Sequence, residues 1–179
     1  MYPGDPDAAQ IVTPGAWIRF PESAPLVLAT MGRRFLARLI DGLVIGVPAT
    51  VVFIGLLVGV VVPEPRRWWV LLFVVPGAIL VAWVYEGLLI GLRGATVGKR
   101  AVGVRVVTRR AAALGKAGPG LGVGLARAAV VTLPGLLPCV GWFVTVLVSV
   151  SPFFDEMARQ GWQDKAVGAY VISTEPVHY

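Results

Sequence analysis

From Gly42 to Val62 the chain carries no charged side chain, and this apolar stretch is long enough to cross a bilayer as a single helix. Asp41 stands at its mouth, in the segment GRRFLARLIDGLVIGVPATVVFIGLLVGVVV. A carboxylate there is costly unless it is paired, and an ionisable residue inside a membrane is by default a functional candidate. The feature constrains the fold before any other argument is needed: the chain is expected to be a membrane protein with buried charge chemistry.

Composition agrees. The 179 residues suffice for one small domain, with 56% hydrophobic and only 15% charged side chains. The mean hydropathy is +0.77. A soluble domain carries roughly a quarter charged residues. The net charge of +6 comes from basic residues that flank apolar runs. That placement fits orientation by the positive-inside rule and contact with anionic head groups, not nucleic-acid binding. With one cysteine (Cys139) and one histidine (His178), no internal disulfide, Cys/His zinc cluster or Ser/His/Asp set can be assembled. Cys139 reads as a small buried residue in apolar sequence. No cofactor, metal or enzymatic activity is expected. The first thirty residues lack the basic region and short apolar core of a signal peptide, so the first apolar helix is expected to stay attached as an anchor.

Residues 1–30 contain Pro3, Pro6, Pro14, Pro21 and Pro25, which forbid a long helix. This segment reads as an irregular cytoplasmic tail, with Trp17, Ile18 and Phe20 as candidates for contact with the membrane surface. A first membrane helix is predicted over about 31–62, running through Pro48 and stopped by Pro63, Glu64 and Pro65. A second is predicted over about 68–92, behind an interfacial anchor at Trp68 and Trp69 and interrupted at Pro76 and Gly77. Gly42/Gly46, Gly55/Gly59 and Gly87/Gly91 are small-xxx-small pairs that let helices approach closely.

Arg93 to Lys116 holds seven basic residues and no acid, which places the connection in the cytoplasm. Two crossings before it place the N-terminus there too. The β-branched alternation over 102–108 and 169–174 predicts two short strands that pair, since a lone strand is marginal. The C-terminus is then cytoplasmic as well, and residues 120–154 must return to the side they left. Their middle, PGLLPCVG, is a turn. Helices over about 121–137 and 140–155 are expected as a hairpin, either two short crossings or a re-entrant pair. A single third span is the alternative. Residues 174–179 read as a tail.

The charges converge. Arg34, Arg38 and Asp41 share one helical face. Glu86 lies roughly 10 Å inside the second helix, at about 1.5 Å per residue from Arg93, and Asp41 lies at a similar depth. Arg127 begins the next helix, and Asp155 and Asp164 follow the last. This topology gathers arginines and acids at the cytoplasmic side of one bundle. Such a set acts as structural glue that fixes register, as a cation or proton site, or as a receptor for lipid head groups. Lys99, Arg100 and Arg105 read as basic residues at head-group level. The segment Gly94-Ala-Thr-Val-Gly98-Lys99-Arg100 is not a phosphate loop: the glycine spacing is wrong, and Arg100 replaces the magnesium-binding Ser/Thr.

Three blocks carry a resemblance. LATMGRRFLARLID (28–41), YEGLLIGLRGATVGKRAVGVRVV (85–107) and FDEMARQGWQDKAVGAYVI (154–172) resemble, in order, the blocks of the RDD family. These are small bacterial membrane proteins named for one arginine and two aspartates. Arg34, Asp41 and Asp164 fall on the signature positions, and the resemblance covers roughly residues 28–173. Gln163 stands where the family often has histidine, and Ala169 where it often has threonine. The histidine change argues against any mechanism needing an imidazole there. Some members have been proposed as sodium/proton antiporters, so the resemblance implies a transport role at most.

The expectation is an all-α, multi-pass inner-membrane bundle of two long spans and a C-terminal hairpin, with a small cytoplasmic β-ribbon. It would work as a homo-oligomer or with a membrane partner, using Asp41 and Glu86 as carboxylates for a monovalent cation or proton and Arg34, Arg38 and Arg127 as their partners. A non-transporting accessory protein that binds partners or anionic lipid is the alternative.

Overall fold

The structure is a computed structural model and describes residues 10–21 and 24–174. His178 and most of the 174–179 tail lie outside the described residues, as do residues 1–9. What is described is mostly helical, with two long apolar helices and small antiparallel sheets.

The N-terminal segment is not irregular. Strands β1 (Gln10–Thr13), β2 (Trp17–Arg19) and β3 (Leu26–Val27) form an antiparallel meander. The prolines that exclude a helix fall in the connections, Pro14 between β1 and β2 and Pro21 and Pro25 between β2 and β3, so they break no strand. Ile18 and Phe20 are fully buried and do not meet a membrane surface. They pack with Leu28, Val107, Tyr170 and Ile172, and Phe20 meets Tyr170 edge to face at 5.4 Å.

Helix α1 (Met31–Leu56) starts at Thr30, whose hydroxyl accepts the Arg33 N–H. It runs through Pro48 and ends in a π turn, Leu57–Val61. A 3₁₀ stretch, Pro65–Phe73, then leads into α2 (Val74–Arg93). Pro76 thus sits in the first turn of α2, where a missing N–H costs little, and the expected interruption is a change of helix type. Met31–Val61 and Pro65–Arg93 are each long and apolar enough to cross a membrane, and the most apolar window of each has no buried residue.

Gly94 ends α2 in a left-handed conformation (φ 72°), which glycine adopts without steric cost. Its N–H donates to Ile90 O at 2.8 Å, and its carbonyl accepts from Val106 N at 2.7 Å. The basic connection then folds as α3 (Val97–Ala101), β4 (Val104–Thr108) and α4 (Arg109–Ala113). After it come α5 (Leu121–Thr132), α6 (Gly141–Val150), the single turn α7 (Trp162–Lys165) and β5 (Ala169–Ser173). Cys139 lies in the turn between α5 and α6 and is exposed with positive φ, not buried.

β4 and β5 pair antiparallel, from Val104 opposite Ser173 to Thr108 opposite Ala169. A bridge from Leu28 to Ile172 joins this ribbon to the N-terminal meander. The Ala29 N–H donates to Val171 O at 3.0 Å, so α1 begins against β5. The Gly120 N–H donates to Gly91 O at 3.0 Å, so α5 begins where α2 ends. Trp83 Nε1 donates to Leu125 O at 3.1 Å, and Gly135 lies beside Ile79, so α2 and α5 run antiparallel. Trp162 N donates to Ser151 Oγ at 2.9 Å, bringing the end of the α5–α6 hairpin back to the same place. The sheets therefore cap one end of the helices, and every charged residue of interest lies there.

Of the glycine pairs, Gly87/Gly91 serves close packing, against Leu121 and Leu125 of α5. Gly42, Gly46, Gly55 and Gly59 have nothing within 4 Å of where a side chain would project.

Candidate functional site

Three carboxylates tie the capped end together. Asp41, on α1, accepts from three donors outside its own helix. The Tyr85 hydroxyl on α2 reaches Oδ1 at 2.9 Å, the Thr96 hydroxyl reaches Oδ2 at 2.6 Å, and the Gly98 N–H reaches Oδ1 at 2.9 Å. Lys99 Nζ stands 3.8 Å from Oδ2. Thr96 is the N-cap of α3: its hydroxyl accepts the Lys99 N–H while donating to Asp41. The Tyr85 hydroxyl likewise accepts the Val97 N–H. Local capping therefore fixes α3 in the orientation that lets it close over Asp41.

Glu86, on α2, is the hub. Arg38 Nη1 donates to Oε2 at 2.9 Å, and Lys99 Nζ and Arg127 Nη1 donate to Oε1 at 3.2 and 2.9 Å. Arg127, on α5, also sends Nε to Asp164 Oδ1 at 2.7 Å. Asp164 Oδ2 in turn accepts the Gly161 N–H, capping α7. Arg127 and Asp164 are almost fully buried, at 2% and 1% exposure. Buried ions are tolerated only when paired and hydrogen-bonded on most sides, and this network supplies that.

Of the three arginines expected to partner Asp41 and Glu86, Arg38 and Arg127 meet Glu86, and none of them pairs with Asp41 among the described residues. Arg34 donates instead to the backbone carbonyls of Arg159 and, at 3.0 Å, Val171. It fastens the start of α1 to β5 and to the segment before α7. Arg38 turns to Glu86. Asp155 stands apart from the hub: it accepts from Lys165 Nζ at 3.0 Å and from the Ala158 N–H at 3.1 Å. Burial pushes the Asp155 carboxyl up, but that N–H and the Lys165 ammonium outweigh burial and hold it below its ordinary value.

Lys99 is the largest departure among the basic residues. It was expected at head-group level with Arg100 and Arg105, yet it is 4% exposed and bonded to Glu86. The physical reason is the cap at Thr96, which turns that face of α3 onto α1 and leaves Arg100 on the exposed face. Burial of the Lys99 ammonium outweighs the attraction of Glu86, and with repulsion from Arg38 and Arg127 its pKa falls to about 8. Arg105 donates to the carbonyls of Ala117, at 2.9 Å, and Lys116, closing the loop after α4.

Sequence reasoning missed Tyr85, Thr96 and Gly98. A signal did exist for one of them: Thr96, two residues after a helix-ending glycine, is of the type favoured at an N-cap.

The network can hold five elements, α1, α2, α3, α5 and α7, in one register. Its carboxylate oxygens are taken up by donors, so they offer little to a further cation. In comparison with known proteins, residues 28–168 match the family model described as the RDD family. No curated protein and no solved structure matches the chain.

Proposed function

We propose, from the premise that the chain belongs to the RDD family, that it is a multi-pass protein of the bacterial cytoplasmic membrane and acts as a non-transporting accessory protein. Two helices of spanning length expose apolar side chains along their length, among them Leu43, Val47, Val51, Val81 and Val84. Lipid, a second copy or another membrane protein suits these faces; water does not. The capped end carries the acid-free basic connection, which supports a cytoplasmic location for it and for both chain ends.

The observation that carries the accessory reading is the saturation of the carboxylates. Asp41 has three hydrogen-bond donors, Glu86 has three cations, and Asp164 has Arg127 and a backbone N–H. A transport site needs oxygens that exchange partners; these are tied to the helices they join. Proteoliposomes holding the purified chain are expected to show no cation-dependent proton flux. Flux that disappears in Asp41→Asn or Glu86→Gln overturns this reading.

A second reading, proton-coupled cation transport, is favoured by Lys99. Its ammonium touches both Glu86 and Asp41 and is the group in the hub nearest to releasing a proton at cellular pH. On that reading Lys99→Arg, which keeps the charge but not the exchangeable proton, abolishes proton-coupled flux.

A further inference from the structure

Beside the network, at the start of α1, lies a cavity of about 290 Å³. Arg34, Arg38, Lys99 and Arg127 line it, with Asp164 as the one carboxylate. Among the described residues, Arg34 Nε and Arg38 Nη2 are buried and have no hydrogen-bond partner; neither do Thr145 Oγ1 and Gln163 Oε1. All four residues line this cavity. Gln163 itself is only 3% exposed. A buried guanidinium N–H left unmatched is expensive, because its lost hydration is not replaced by a charged hydrogen bond.

The charges do not cancel. Of the four cations that line the cavity, Arg38, Lys99 and Arg127 pair with the carboxylates Asp41, Glu86 and Asp164, whereas Arg34 donates to backbone carbonyls. That leaves the cations one in excess of these carboxylates, with Arg34 outside salt-bridge reach of them, and the unmatched N–H groups of Arg34 and Arg38 belong to residues that line the cavity. A cation does not fit such a site; a single anionic oxygen group does. The rim decides what kind of anion. Phe35 of α1 and Val146 and Phe153 of the α6 segment line the cavity and are also exposed. A free phosphate has no use for an apolar rim, whereas a lipid's acyl chains leave across it. The site also lies at the first turns of a spanning helix, where head groups sit.

We propose that the Arg34–Arg38 cavity binds the anionic head group of an acidic phospholipid, with its acyl chains leaving past Phe35 and Phe153. The proposal rests on the membrane reading above; the chain's need for detergent on extraction tests that reading separately.

The test is native mass spectrometry of the detergent-purified chain with phosphatidylglycerol, phosphatidylcholine or inorganic phosphate added. Phosphatidylglycerol is expected to be retained at one per chain in preference to phosphatidylcholine. Arg34→Gln and Arg38→Gln should each weaken retention about tenfold, the loss of roughly one charged hydrogen bond. Because either variant could also loosen the bundle, Ser149→Phe serves as a second probe: it fills the cavity from α6 and alters no charge. Its folded form should lose the lipid. Equal retention of the two lipids overturns the proposal. So does retention unchanged in Ser149→Phe, or displacement of phosphatidylglycerol by millimolar inorganic phosphate, which would mark a free-anion site.

Discussion

Gly98 lies so close to α1 that its N–H reaches Asp41 Oδ1 at 2.9 Å, leaving no room for a side chain. A Cβ on Gly98 would stand 2.9 Å from Asp41 Cγ and collide with the Ala37 carbonyl. These contacts are backbone or a fixed carboxylate, so they cannot swing aside. Gly98→Ala is therefore expected to destabilise the chain by roughly 1–3 kcal/mol, the usual cost of overpacking. Gly42→Ala, inside α1 with nothing within 4 Å, should not destabilise and should gain up to about 1 kcal/mol from helix propensity. Denaturant unfolding of the detergent-solubilised variants checks both; equal behaviour refutes the close approach.

Glu86 accepts from three cations at once, so its removal leaves Arg38 without a carboxylate and takes one of two from Lys99 and Arg127. Glu86→Gln should cost about 3–5 kcal/mol, as when one partner of a buried pair is lost. Adding Lys99→Met to that background should recover part of the loss, since it removes one of the buried positive charges left in excess. A double-mutant cycle over Glu86 and Lys99 should give a coupling of at least about 1 kcal/mol. Additive effects would mean that the 3.2 Å contact carries no energy.

How much of this was legible in sequence depends on distance along the chain. Arg34, Arg38 and Asp41 announce a polar helical face, but Asp41's donors lie 44 to 57 residues away, and no spacing rule reaches that far. The pairing of Val104–Thr108 with Ala169–Ser173 was readable because β-branched alternation marks both strands. The three N-terminal strands were not, because short strands between prolines look like a tail until Leu28 is seen to bridge Ile172. In the sequence, the basic neighbours of Lys99 point to a surface position. Only the cap at Thr96 turns it inward.

Asp155 supplies a pH dependence of predictable sign. Its folded pKa lies below the ordinary 3.8. Its contribution is thus complete above the unfolded value and is lost as pH falls through the lowered folded one. Lys165 is half exposed, so the pair itself is worth at most about 1 kcal/mol. Asp155→Asn should flatten the acid limb of stability below about pH 4 and leave stability near pH 7 only slightly reduced. An unchanged acid limb would show that Asp155 titrates as it does in the unfolded chain.

The seam between α2 and α5 sets where Arg127 can reach. Gly124 packs directly on α2: a Cβ there would stand 2.7 Å from Gly91 Cα and nearer still to the Gly87 carbonyl. Gly124→Ala must push the helices apart, and Arg127, one turn further along α5, then withdraws from Glu86. The expected loss therefore exceeds the roughly 1–3 kcal/mol of simple overpacking. It should also be smaller in an Arg127→Met background, where no ion pair remains to be stretched. Gly122→Ala, on the open face of the same helix with nothing within 4 Å, serves as the control and should not destabilise. If Gly124→Ala costs the same with and without Arg127, the seam and the charge network are independent, and close packing is not what positions the arginine.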